Sequence, residues 1–84
     1  MIQPGHLETL LPIDCLRSNE EASVVELIGD SREIHRLAEV GLRVGANIRM
    51  VRPGSPCLLA MGGNRLSVRL PANVEVLVAA VDDA

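Results

Sequence analysis

The chain contains no phenylalanine, tyrosine or tryptophan. That absence excludes the aromatic grooves that hold polyproline ligands and the stacking platforms that hold single-stranded bases. It contains no lysine either, so all eight basic residues are arginines. A glycine-lysine phosphate loop is therefore missing, and P-loop nucleotide hydrolysis with it. No apolar run, Val76–Val81 included, approaches the roughly 20 residues of a membrane-spanning helix. The opening Met1–Ile13 has no basic start and carries Pro4, Gly5 and Glu8. It does not read as a secretory leader, and the expected location is cytoplasmic. Only two cysteines occur, Cys15 and Cys57. So few in so short a chain read as reduced thiols rather than as a disulfide framework. There is no Cys-x-x-Cys, no close histidine pair and no spacing that supports a catalytic triad, so the chain is not read as an enzyme.

What is present is aliphatic. Hydrophobic residues make up 48% of 84 residues, too many for a disordered chain. The length suits one domain, 1–84, with a marginal core built from Leu, Val, Ile, Ala and Met. Apolar content this high in a small domain suggests that part of it faces a partner. Charge is segregated. Residues 1–42 hold eight acids and three arginines. Residues 43–74 hold Arg43, Arg49, Arg52, Arg65 and Arg69 and no acid. Two readings follow: the arginines fold back against the acidic half, or they form a basic face for an acidic partner.

The pattern predicts five strands and one helix. Val24–Gly29 is β-branched and opens the set. Asp30 is placed to cap a helix, with Glu33 at the capping-box position. Ile34, Leu37 and Ala38 form its apolar stripe. Gly41 suits a left-handed helix end, with Leu42 folding back onto the last turn. Gly45 opens a turn into a strand at Asn47–Arg52, closed by Pro53-Gly54. Pro56–Met61 is the next strand, and Gly62-Gly63-Asn64 reads as a tight hairpin turn. Arg65–Leu70 alternates, with Leu66, Val68 and Leu70 inward. Val74–Val78 closes the set. Short antiparallel strands at this spacing predict a mostly β fold, a small closed five-stranded barrel with the helix over one end.

Arg36-Leu37, Val40-Gly41-Leu42, Gly45, Ile48, Pro53-Gly54, Gly62-Gly63, Leu66-Ser67-Val68-Arg69 and Ala72 stand in an order and spacing that resembles the FeoA family. The resemblance covers about residues 24–79. It implies an SH3-like barrel, with Gly41, Leu42, Gly45, Gly62 and Gly63 as its structural turns. It further implies a non-catalytic accessory role in bacterial ferrous iron uptake, with the membrane permease FeoB, which carries a GTP-binding domain, as partner on its cytoplasmic side. Alternatives are a metal-binding chaperone or sensor, or a regulatory module acting with an iron-dependent repressor. Two departures stand out. The acidic stretch about 14–22 replaces a simple turn, and Leu70-Pro71 occupies a place that is often polar.

The candidate partner-binding residues are Arg43, Arg49, Arg52, Arg65 and Arg69, with aliphatic Leu58–Met61, Leu77 and the helix face as neighbours. The metal candidates are weak: His35 with Glu39 one turn later, Cys15, Cys57 and His6. Cys57, between Pro56 and Leu58-Leu59, reads as a small buried hydrophobe. No dedicated cofactor is expected, although weak Fe2+ or Zn2+ binding stays open, as does a homo-oligomer. Nucleic acid and membrane insertion are not expected.

Overall fold

The computed structural model describes residues 9–81. They form strand β1 (Leu10–Pro12), a short 3-10 turn (Ile13–Cys15), β2 (Glu21–Gly29), helix α1 (Ser31–Glu39), β3 (Asn47–Arg52), β4 (Cys57–Met61), β5 (Asn64–Val68) and β6 (Val74–Ala80). All strand pairs are antiparallel, in the order β1-β6-β2-β3-β4-β5. The mostly β class with one helix is as expected. Two details need correction. The described residues form six strands rather than five, and their sheet does not close into a barrel: its ladder ends at β1 and β5.

Both corrections have backbone causes. β1 is three residues long, ends at Pro12 and owes its extended form to pairing with Leu77–Ala79 of β6. Nothing local announces it. β5 stops at Val68, and Pro71 beyond it has no N–H with which to continue a ladder. The sheet nevertheless wraps one interior. Ile13 and Leu16 beside β1, Val24 of β2, Leu37 of α1, Met50 of β3, Leu59 of β4, Val68 of β5 and Val78 of β6 belong to a single buried cluster. Among the described residues, no polar or charged side chain is buried with them.

The stretch that replaces the expected turn does ordinary work. Leu16 is buried, and Arg17–Glu20 make a local turn in which the Arg17 amide donates to Glu20 Oε1 at 2.6 Å. Glu20 then accepts from the Met50 amide at 2.9 Å, and β2 begins at Glu21, three residues before Val24. A bulge at Val25 resets the phase of β2. Ala22 and Val24 face inward before it and Leu27 after it, while Val25 and Ile28 face out.

The helix forms as its sequence requires. Asp30 Oδ1 accepts from the amides of Arg32 (2.8 Å) and Glu33 (3.1 Å). The reciprocal half of the capping box is not made. The Asp30 amide instead donates to the Asn73 carbonyl at 3.1 Å, and Glu33 faces Arg36 at 3.9 Å. At the other end Gly41 has φ +103. Its amide donates to Ala38 and that of Leu42 to Leu37, which is the Schellman pattern, and Leu42 is fully buried. The second glycine of this segment, Gly45, exchanges bonds with β2: its amide donates to the Val24 carbonyl at 2.8 Å, and the Val24 amide to Ala46 at 2.9 Å.

The tightest glycine is one to which the sequence assigns no role. Gly29 ends β2 at φ +132, and a Cβ there would lie 2.1 Å from the Asn73 carbonyl oxygen. The β5–β6 turn is seated directly on this position.

Candidate functional site

The hairpin β4–β5 organises the surface that carries the charge. Gly62 (φ +54) and Gly63 (φ +87) form a two-residue turn of the left-handed kind that suits the strand twist. The turn sets the register, so that Ala60 lies opposite Arg65 and Leu58 opposite Ser67. On the other side of β4, Ala60 lies opposite Arg49, and Leu58 opposite Arg52. Arg49 in turn lies opposite Glu21. Two transverse rows result, Glu21–Arg49–Ala60–Arg65 and Arg52–Leu58–Ser67. Ile48, Met50, Leu59 and Val68 point the other way, into the core.

Arg49 and Arg65 therefore stand two strand spacings apart, about 10 Å, on either side of a residue with only a methyl group. The space over Ala60 opens as a groove of about 630 Å³, lined among others by Glu21, Asn47, Arg49, Gly63, Asn64 and Arg65. Arg69, one step beyond β5, extends the exposed arginine series. Arg43 does not join it, since it lies in the α1–β3 loop and not on the sheet. Among the described residues, none of these five arginines comes within 4.0 Å of a carboxylate; the ion pairs present are His35–Glu39 and Glu33–Arg36, both on α1. The nearest approach to the acidic half in the sheet is Arg49, which lies across from Glu21 without an ion pair.

The metal candidates are scattered. His35 Nε2 and Glu39 Oε2 are 3.3 Å apart on the exposed face of α1. Cys15 is exposed on the 3-10 turn, and Cys57 is buried on β4. Burial pushes the Cys57 thiol above its ordinary value, with a smaller push from the Asp14 charge, against a backbone hydrogen bond that lowers it. A protonated, enclosed thiol is a poor metal ligand. No group of three or more His, Cys, Asp or Glu side chains gathers among the described residues. His6 lies outside them.

A second groove, of about 620 Å³, lies at the far end of the sheet. It is lined by Asp14 and Glu75 with Ile13, Ile28, Leu70 and Pro71, among others, and carries no arginine. The site residues that the sequence reading passes over are Glu21, Asn47 and Asn64; Ala60 enters it only as part of the aliphatic stretch Leu58–Met61. The role of Ala60 as the small residue between Arg49 and Arg65 depends on which strands flank it.

The architecture defines the protein's class: a small, mostly β domain with one capped helix, glycine-cornered turns and a basic outer face. The chain belongs to the FeoA family, whose FeoA domain matches residues 11–79. A solved crystal structure described as an iron uptake regulatory protein (FeoA) aligns with a TM-score of 0.71, covering 83% of this chain and 99% of that one. At 23% identity this likeness speaks for the fold. No curated protein sequence matches the chain. No helix among the described residues is long and apolar enough to cross a membrane.

Proposed function

We propose that this chain is a non-catalytic accessory protein of ferrous iron transport, which acts on the cytoplasmic side by docking on the FeoB permease. Membership of the FeoA family supports the iron-transport setting. One observation carries the docking part: the outer face of β3–β4–β5 presents arginines around an open groove, with no carboxylate of the described residues paired to them. Arginine suits such a surface, because its planar fork pairs with carboxylates in two-point geometry. Unpaired cations around a groove raise the rate and the specificity of association with an acidic partner.

Co-purification of FeoB with this protein tests the reading, set beside an Arg49→Glu/Arg69→Glu variant. The expected result is association that the variant loses. Retention by the variant would move the docking surface elsewhere, and absence of association in both would count against the proposal.

A further inference from the structure

The sheet ends at β5, and the register of its hairpin determines which backbone groups it offers there. In a two-residue hairpin the residues flanking the turn, Met61 and Asn64, form a hydrogen-bonded pair. Pairs then alternate along an antiparallel ladder. Leu59 with Leu66 and Cys57 with Val68 are hydrogen-bonded pairs, whereas Ala60 with Arg65 and Leu58 with Ser67 are not. The N–H and C=O groups of Arg65 and Ser67 therefore point away from β4, toward the open edge. Among the described residues no strand lies there, and no loop or side chain bonds to these four groups.

An unpaired strand edge is a template for another strand. This edge differs from a bare one in its side chains. Arg65 stands on it, Arg69 follows it, and Arg49 lies across Ala60 within the same groove. The inner face of the hairpin packs on the core through Cys57, Leu59 and Val68, but at its turn end a second hollow opens beside Leu66, lined by Val40, Gly41, Ala46, Met61 and Arg65 among others. We infer that the β5 edge receives an extended acidic segment of another protein, which adds as a seventh strand beside Arg65–Ser67. Alternate side chains of that segment would be carboxylates facing Arg65 and the Arg69 that follows it, and the intervening ones aliphatic, facing the hollow beside Leu66. Main-chain bonds supply affinity and the arginines supply selection. This deepens the docking proposal by giving the partner's chemistry and backbone form, and it rests on the same arginine face.

The test uses the whole chain and a short fluorescent peptide that alternates glutamate with valine. Its controls are the lysine-valine peptide and a glutamate-valine peptide with alternate amides N-methylated. The glutamate peptide is expected to bind with an affinity that falls as salt rises, and both controls to bind at least about tenfold more weakly. Arg65→Glu removes the charge match. Ser67→Pro removes an outward N–H without touching the bonds to β4. Each should weaken binding about tenfold, with an unchanged circular dichroism spectrum and melting curve. Equal binding of the N-methylated peptide, or wild-type binding by Arg65→Glu, would overturn the inference. Self-association through β5 that the peptide displaces would overturn it too, by assigning the edge to a second copy. Because the peptide assay contains no permease, the two proposals fail separately. Peptide binding without FeoB co-purification sinks only the permease reading. Co-purification that survives both substitutions sinks only the edge inference.

Discussion

The two grooves have nearly the same size, about 630 and 620 Å³, yet opposite surroundings. One lies on the β3–β4–β5 side under Arg49 and Arg65; the other lies by the β5–β6 turn beside Asp14 and Glu75. Both sit on a single aliphatic interior in which no charge is buried among the described residues. The difference shows that charge here is decoration on a fold built by other means. The acidic half uses some of its charges locally, in the Asp30 cap and the pairs along α1. Among the described residues, no arginine of the basic half makes such a pair.

The sharpest way to break that picture is through the backbone contact that joins Gly29 of the acidic half to Asn73 at the end of the basic segment. Gly29→Ala forces a Cβ against the Asn73 carbonyl at a positive φ. Strain and overlap together should cost on the order of 4 kcal/mol, enough to unfold much of a domain this small. Gly45 has φ +92 but open space around it, so Gly45→Ala should cost about 1 kcal/mol. Urea denaturation of the two variants measures the contrast; equal costs would show that the close approach at Gly29 is not rigid.

Next in size is Leu59→Ala on the basic side, which should cost about 3 kcal/mol. If the interior is shared, strand and helix signals must still melt together. Two separate transitions would show that the halves have their own cores. Asp30→Ala removes the acceptor for two amides at the start of α1 and should cost about 1 kcal/mol, read by the same denaturation.

A smaller effect concerns pH. Cys57 titrates above its ordinary value of 9.0 in the folded chain, so the folded state holds the proton more tightly than the unfolded one. The resulting stability is complete below pH 9.0 and is lost as the pH rises through the folded value. The slope of stability above pH 9 should be shallower in Cys57→Ala, and an unchanged slope would place its origin elsewhere. Smallest of all should be the effect of Arg49→Gln with Arg65→Gln, within about 0.5 kcal/mol of wild type. A larger loss would mean that the arginines belong to the fold after all.

Much of this was legible before the structure. The capped helix, its Gly41 exit, the glycine hairpin and the inward alternation of Leu66, Val68 and Leu70 follow local rules of period and turn chemistry. β1 was not legible, because a three-residue strand ending in proline has no pattern of its own and exists through pairing with β6. The early start of β2 was hidden because Glu20 and Glu21 look like loop residues until Met50 and Arg49 are laid beside them. The role of Gly29 depends on Asn73, forty-four positions away in the sequence.

By itself the sequence determined an aliphatic, glycine-cornered β domain with its basic residues gathered in one segment, because alternation, capping and turn preferences act between near neighbours. Only the tertiary structure decided that Arg49 and Arg65 flank one alanine, that the sheet stays open, and that β5 is its edge. Those facts depend on register and strand order, which are set by contacts between residues distant in the chain.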